Sequence, residues 1–294
     1  MSACFLCARQ CGTDRGKRAG FCGMTDEIMV ARAGLHFWEE PCISGTKGSG
    51  TVFFSGCNLR CVYCQNYGIS TGGEGQKITL ARLKEIYAEL IAQGAHNINL
   101  VTPTHFQDAV LASLEDPLPV PVVYNTNGYE EVEHLKRLDG KIQIYLPDLK
   151  YSDDALAIRY SNAPGYFETA KRAIREMFRQ TGRCRMNEET GMMERGVIIR
   201  HLLLPGQVEN TKRVIDWVAE TFEPGDVLFS LMRQYIPCGR VSDTDFPELN
   251  RKVTQEEYDI VEDTLFNSAI EAGFVQDDDS ASKEFIPDFD GTGV

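Results

Sequence analysis

The sequence predicts an α/β protein whose centre is a partial barrel of six β/α units. Short apolar runs, each long enough for one buried strand, alternate with longer segments whose apolar residues recur at helical spacing. Strands separated by helices in this way are joined by right-handed crossovers and lie parallel in one sheet. Polar residues follow each apolar run, which is where parallel sheets of this kind bind their ligands.

The elements are predicted in order from these patterns. The six strands cover 51–54, 97–102, 121–128, 141–146, 197–204 and 227–232. Helices are predicted from residue 77 to Gly94 and over 106–114, 130–138, 167–178 and 212–221. A hairpin turning at Thr190-Gly191 precedes the fifth strand, and Pro, Ser and Gly residues predict a loop over 33–45, before the first strand.

Three cysteines directly after the first strand are the most specific feature. Cys57, Cys61 and Cys64 have the spacing C-x3-C-x2-C and follow a Ser-Gly break. A structural zinc site closes four ligands around its metal, whereas a reactive site leaves one position open. Three thiolates therefore suit an iron–sulfur cluster with one iron not bound by protein. The alternative is three unrelated core cysteines that share this spacing by chance.

The carboxyl ends of the other predicted strands carry amide, hydroxyl and charged side chains. Any one of them is explained by a helix cap or a turn, but all five ends share the property. We therefore expect these residues to face the cysteine loop and to bind a cofactor there. They are Thr102, Thr104, Asn125, Asn127, Asp148, Lys150, Arg200, Gln234 and Tyr235.

The cysteine loop, with Tyr63 before its last cysteine, resembles the signature of the radical SAM superfamily. Residues 50–240 are similar to glycyl-radical-enzyme activases, and the whole chain resembles the pyruvate formate-lyase-activating-enzyme-like branch. The residues that carry this likeness are the loop itself, Asn-Thr-Asn-Gly at 125–128, Asp148-Leu149-Lys150 and Leu204-Pro205-Gly206.

The resemblance implies a [4Fe-4S] cluster on the loop and S-adenosylmethionine (SAM) chelated to its open iron. It places Tyr63 beside the adenine, Asp148 and Lys150 on the ribose and methionyl carboxylate, and Gln234 or Tyr235 near the adenosine. The activases carry Gly-Gly-Glu after their second strand, where this chain has Leu100 to Thr104. Thr102 or Thr104 is the expected substitute for the missing carboxylate.

The implied reaction is reductive cleavage of SAM to methionine and a 5′-deoxyadenosyl radical, which abstracts hydrogen from a substrate. That substrate is a glycine of a partner enzyme or, alternatively, a small metabolite. A closed barrel would suit the metabolite, and an open one the protein. An electron donor such as flavodoxin or ferredoxin is the other expected partner. A third possibility is an iron–sulfur electron carrier without enzymatic activity.

A second cysteine group precedes the barrel. Cys4, Cys7, Cys11 and Cys22 lie in a segment rich in Gly, Arg and Lys, with too few apolar residues for a core of its own. Four thiolates at this spacing bind a structural zinc or a second iron–sulfur cluster. The alternative is that they are reduced thiols in a capping segment.

Charge and length set the remaining expectations. The 294 residues include 30 Lys and Arg against 43 Asp and Glu, a net charge of −13, which would repel a nucleic acid. No apolar run is long enough to span a membrane, and no charged-then-apolar leader precedes Cys4. We therefore expect a cytoplasmic protein, in which the ten cysteines serve metals or catalysis more often than disulfides. Three regions are predicted: a cysteine-rich extension (1–48), the barrel (49–240), and a C-terminal helix with an acidic tail (241–294). The tail is either solvated or docked on the barrel through Phe285, Ile286 and Phe289.

Overall fold

The structure is a computed structural model that describes residues 3–242, 244–277 and 280–294. Its strands are β1 (Met29–His36), β2 (Ser49–Phe54), β3 (Gln76–Lys77), β4 (Ile98–Val101), β5 (Val122–Thr126), β6 (Ile144–Pro147), β7 (Arg185–Met186), β8 (Met193–Leu202), β9 (Leu228–Met232) and β10 (Gly273–Val275). Its α-helices are α1 (Pro41–Ser44), α2 (Tyr67–Ser70), α3 (Leu80–Ala92), α4 (Gln107–Ser113), α5 (Val132–Leu135), α6 (Asp154–Ser161), α7 (Tyr166–Thr181), α8 (Val208–Thr221) and α9 (Gln255–Phe266).

The six predicted strands form one continuous parallel sheet. Its order is β2, β4, β5, β6, β8, β9, and each neighbouring pair is parallel. The α/β class and the mostly parallel sheet are therefore confirmed. These strands are buried almost throughout, as expected for strands covered on both faces.

Strands at both edges extend this sheet, and they were not predicted. At one edge β1 pairs antiparallel with β2, and β3 pairs with β1. At the other edge β10 pairs parallel with β9. The prediction of a loop from residue 33 was wrong for residues 33–36, which belong to β1. Residues 33–36 form a strand in spite of their mixed composition because their backbone pairs with β2. The rest of the predicted loop, after His36, lies outside the sheet.

The helices pack their apolar faces on the outside of the sheet. In α7 one stripe is fully buried, namely Ala170, Ala173, Ile174 and Met177. Burying a side chain as large as that of Ile174 or Met177 contributes roughly 1.5–3 kcal/mol. Phe178 of α7 packs edge-on against Phe222 after α8, with ring centroids 5.3 Å apart. This layer holds each strand in place, so that the carboxyl ends of the strands are rigidly positioned.

Local signals account for most element ends. Thr79 caps α3 by accepting a hydrogen bond from the Arg82 N–H at 3.1 Å. The sequence did not predict α6, although Asp153 caps it in the same way. The predicted hairpin is confirmed, because β7 pairs antiparallel with the start of β8. It lies at the amino end of β8, away from the cysteine loop.

The C-terminal segment crosses from one edge of the sheet to the other. Gln276, just after β10, accepts hydrogen bonds from the N–H groups of Arg233 and Gln234 beyond β9. Residues 280–294, named here the strap, then run to β1. There the Ala33 N–H donates to Thr292 O at 2.9 Å, and the Gly291 N–H donates to Ala31 O at 3.1 Å. The tail is therefore docked on the barrel. Its Asp278 and Asp279 lie outside the described residues.

Candidate active site

The cysteine loop, residues 55–66, leaves the carboxyl end of β2 through a tight turn. Gly56 has φ +82°, and a Cβ there would stand 2.4 Å from Met24 Cγ and 2.8 Å from Cys22 O. Only glycine combines that backbone conformation with such close packing. The turn brings Cys57, Cys61 and Cys64 to the mouth of the barrel.

Each loop sulfur has a polar neighbour. The Leu59 N–H and the Asn127 amide both donate to Cys57 Sγ at 3.4 Å, and the Ser161 hydroxyl donates to Cys61 Sγ at 2.9 Å. Cys64 Sγ and Ser70 Oγ are 3.2 Å apart. Hydrogen bonds to sulfur are among the means by which proteins tune iron–sulfur clusters.

Burial opposes ionisation of these thiols. Burial, with a smaller contribution from negative charge on Cys61, raises the pKa of Cys57 to about 12 and that of Cys64 to about 11. Three neighbouring thiols are costly to ionise unless a cation compensates them. The donor set therefore fits a cluster whose irons supply positive charge. Among the described residues, no group of three or more Cys, His, Asp or Glu side chains has the arrangement of a metal site.

A cavity of about 260 Å³ opens beside the loop. The loop cysteines form one part of its wall, and the ends of β4, β5, β6, β8 and β9 form another. The strap contributes Ser280, Ser282, Phe285, Ile286 and Pro287 to the lining. The cavity approaches the size usual for small-molecule sites, roughly 300–1,000 Å³.

A network of charged side chains lies in the cavity wall. Arg200 Nε donates to Asp148 Oδ1 at 3.1 Å, and its NH1 donates to Glu39 Oε2 at 2.9 Å. Lys150 Nζ donates to Asp148 Oδ2 at 2.6 Å, and Arg200 NH2 donates to Asn125 Oδ1 at 2.6 Å. All four charged side chains are less than a fifth exposed.

The pKa shifts of three members of this network favour their charged forms. Burial favours the neutral form of Asp148, but Lys150 and Arg200 outweigh it and lower the pKa of Asp148. Burial likewise disfavours the charged Lys150, yet Asp148 and Cys61 raise the pKa of Lys150. Asp148 and Glu39 also outweigh burial and raise the pKa of Arg200. The wall therefore presents Lys150 and Arg200 as cations and Asp148 as an anion at neutral pH.

Most of the predicted cofactor-binding residues line this one cavity. They are Tyr63, Thr102, Asn125, Asn127, Asp148, Lys150, Arg200 and Gln234. They come from five strand ends and from the cysteine loop. Their positions are consistent with the expectation that the carboxyl ends of the strands face the loop. The roles assigned to them one by one remain predictions.

Two predicted residues lie outside the cavity lining. Thr104 is fully buried, and its hydroxyl donates to Glu130 Oε1 at 2.6 Å. Tyr235 is also buried and donates to Leu249 O at 2.7 Å, while its ring packs edge-on against Tyr63. Of the two threonines expected to replace the activase carboxylate, Thr102 is the one in the cavity wall. Its φ is +57°, which a β-branched residue rarely adopts.

The turn after β5 depends on a glycine. Gly128 has φ +78°, and a Cβ there would stand 2.5 Å from Asp148 O. This close approach lets Asn127 reach the loop, where its amide donates to Asn58 Oδ1 at 2.6 Å as well as to Cys57. The Asn-Gly pair thus joins the ends of β5 and β6 to the cysteine loop.

Glu39 is the principal site residue that sequence reasoning did not assign. It precedes α1, and its Oε1 accepts hydrogen bonds from the Asn99 and Asn125 amides at 2.9 and 3.2 Å. The sequence left open whether Glu39 faces solvent or the cluster. Ser161 also escaped notice, because it ends a helix 100 residues from Cys61 and no local pattern marks it.

The four N-terminal cysteines lie in the segment before β1. Cys7 and Cys22 are buried, whereas Cys11 is exposed. Burial raises the pKa of Cys7 to about 12, with smaller contributions from negative charge on Glu130, Cys22 and Cys4. The segment packs against the cysteine loop: Arg9 Nε donates to Asn58 O at 2.7 Å.

Comparison with known proteins identifies the family. The family model of the radical SAM superfamily matches residues 51–218, which is more than half of the chain. The chain belongs to the radical SAM superfamily. It is therefore an enzyme of a family that uses SAM and a [4Fe-4S] cluster, and the expected barrel and cofactors agree with this assignment.

Individual relatives show how far the likeness extends. An uncharacterized protein of Methanocaldococcus jannaschii, MJ0674, is 28% identical over 264 residues, covering 86% of this chain and 71% of that protein. A point mutant of spore photoproduct lyase has TM-score 0.51 and 15% identity, covering 76% of this chain and 74% of that one. Streptococcus suis SuiB bound to S-adenosylmethionine has TM-score 0.49 and 13% identity over 75% of this chain. The chain spans about half the length of SuiB, 48%. At 15% identity the likeness to spore photoproduct lyase shows a shared fold alone.

No helix in the part of the chain that the structure describes is long and apolar enough to cross a membrane.

Proposed function

We propose that this protein uses the cluster held by Cys57, Cys61 and Cys64 to cleave SAM reductively and to direct hydrogen abstraction from a bound substrate. One observation carries the proposal. The three-thiol loop and a network of charged residues from the ends of β6 and β8 line the same cavity. When bound, the cluster and SAM together supply an electron and a carbon-centred radical.

The protein's own residues would position the cofactor. The amino-acid part of SAM carries both an ammonium and a carboxylate. The cavity wall carries both signs of charge as well, on Asp148, Lys150 and Arg200. We assign Lys150 and Arg200 to the carboxylate, and Asp148 to the ribose. Thr102, whose left-handed backbone holds it at the end of β4, is the proposed acceptor for the ammonium group.

The cavity favours a small-molecule substrate. The strap lines it with Phe285, Ile286 and Pro287 and contacts the opposite wall, where the rings of Phe285 and Trp38 lie 4.7 Å apart. A glycine loop of a partner enzyme would have to displace this contact before it reached the cysteine loop. The glycyl-radical-activase reaction is therefore the second candidate, supported by the Asp148-Leu149-Lys150 and Asn-Thr-Asn-Gly resemblance.

An external reductant completes the proposal. Reducing the cluster takes one electron, and a flavodoxin or ferredoxin is the proposed donor. No nucleic-acid substrate is proposed, since the net charge of −13 opposes a phosphate backbone.

The test is anaerobic reconstitution followed by addition of dithionite and SAM, with chromatographic detection of 5′-deoxyadenosine. We expect turnover in the wild type and none in Cys64→Ala. Cys184→Ala, which changes a thiol on the distant hairpin, is the matched control and should retain activity. Electron paramagnetic resonance of the reduced cluster should change when SAM is added. An intact, reduced cluster that yields no 5′-deoxyadenosine would overturn the proposal and favour the electron-carrier alternative.

A further inference from the structure

The segment before β1 holds four cysteines on a backbone that folds them together. The Cys4 N–H donates to Thr13 O and the Gly12 N–H donates to Cys4 O, both at 3.0 Å. These two bonds place Cys4 beside the turn that carries Cys11. A further bond, from the Gln10 N–H to Cys7 O at 2.9 Å, turns the chain between Cys7 and Cys11.

Cys22 joins this group through Gly20. A Cβ added at Gly20 would stand 3.5 Å from Cys11 Sγ and 3.6 Å from Cys22 Sγ. The two sulfurs are therefore at most about 7 Å apart, the sum of these two distances. No side chain is attached at Gly20 to separate them.

The segment has little regular secondary structure. Apart from single bridges at Ala3 with Asp14 and Cys7 with Glu130, residues 3–28 have no regular backbone pairing. Most of residues 8–21 are exposed or half-buried, and the segment is held to the barrel by a few side chains such as Arg9 and the buried Arg15. A metal shared by its cysteines would add a link within the segment itself.

We propose that Cys4, Cys7, Cys11 and Cys22 bind one structural Zn²⁺. Four thiolates close a tetrahedral site and leave no position for a substrate. The separations Cys4-x2-Cys7 and Cys7-x3-Cys11 fall in the two-to-four-residue spacing usual for zinc ligands. Cys11 is exposed, and zinc has no redox chemistry that contact with solvent and oxygen could disturb.

This site would support the radical SAM cluster directly. The carbonyl of Cys22 accepts a hydrogen bond from the N–H of Cys57, the first cluster cysteine, at 3.3 Å. The same carbonyl lies against Gly56, where no larger residue fits. Fixing Cys22 in a metal site therefore fixes the start of the cysteine loop. The zinc site is separate from the cofactor cavity, and its presence does not depend on the proposed reaction.

The experiment is metal analysis of protein purified and reconstituted anaerobically. We expect about one zinc and about four irons per chain. Cys57→Ala/Cys61→Ala/Cys64→Ala should lose the iron and keep the zinc. Cys11→Ser should lose zinc, whereas Cys184→Ser, the matched control, should keep it.

A second measurement avoids variants that fail to fold. Treating the wild-type holoenzyme with an organomercurial in the presence of a zinc-sensitive dye should release about one zinc per chain. Growth with Co²⁺ should give the visible absorption of a tetrahedral thiolate site in the triple-alanine variant. About eight irons without zinc would overturn the proposal in favour of a second cluster. Zinc-free protein with a disulfide or four free thiols in the segment would overturn it as well.

Discussion

The buried carboxyl of Glu130 makes the stability of this protein depend on pH in a way that one substitution should remove. Glu130 follows the Asn-Gly turn and is almost fully buried. Its Oε1 accepts hydrogen bonds from the hydroxyls of Thr104 and Thr126, while its Oε2 is buried without a hydrogen-bond partner. Burial raises its pKa from 4.5 to about 7, against the lowering effect of the neighbouring Thr104, Thr126 and Tyr124 hydroxyls.

The sign and size of the effect follow from these two pKa values. Because the folded-state pKa of Glu130 is raised, its favourable contribution is complete below about pH 4.5 and is lost as pH rises through about 7. Linkage gives a cost of ionisation of about 1 kcal/mol at pH 5.5 and about 3 kcal/mol at pH 8.5. Between these two pH values the wild type should lose about 2 kcal/mol that a neutral side chain would not lose.

Glu130→Gln keeps an acceptor oxygen for the two threonines and is neutral at every pH. We expect the free energy of unfolding of Glu130→Gln, relative to that of the wild type, to rise by about 2 kcal/mol between pH 5.5 and 8.5. Any cost of the new amide that does not depend on pH cancels in this comparison. Anaerobic urea unfolding, followed by circular dichroism at several pH values, measures this difference. Glu133→Gln, on the exposed side of α5, is the control and should run parallel to the wild type. Parallel curves for Glu130→Gln too would show that Glu130 ionises normally in the folded state.

Three further outcomes follow from the site. Deleting residues 282–294 removes the strap from the cavity wall, so 5′-deoxyadenosine formation without substrate should rise several-fold; an unchanged rate would mean that the strap does not seal the site. Arg200→Lys loses the forked contacts to Asp148, Glu39 and Asn125, so the Kd for SAM should rise roughly 5- to 150-fold, which corresponds to a loss of 1–3 kcal/mol; equal affinity would remove Arg200 from cofactor binding. Gly128→Ala meets Asp148 O, whereas Gly140→Ala, at the same φ of +78°, meets nothing within 4 Å. Both should lose stability from backbone strain, but thermal unfolding should show Gly128→Ala to be the worse by about 1 kcal/mol or more; equal losses would rule out the clash.

The sequence alone determined the features that depend on local spacing. Alternating apolar runs and helical periods specify six parallel strands, because burial on both sheet faces demands that pattern over short stretches. The C-x3-C-x2-C spacing within one loop likewise specifies a three-thiol site with no help from the rest of the chain. The convergence of strand ends then follows from parallel topology, and Asp148, Lys150 and Arg200 do share one cavity.

Tertiary structure alone decided which distant residues meet. Glu39 reaches Arg200 across 161 positions, and Arg32 pairs with Asp290 across 258. No local period encodes such contacts, since they arise only when the sheet curls and the strap crosses between its edges. The positions of Thr102 and Thr104 also depend on such packing: the Thr104 hydroxyl donates to the buried carboxyl of Glu130, whereas Thr102 lines the cavity. Sequence thus determined where the chemistry is placed, while long-range packing determined which side chains surround it.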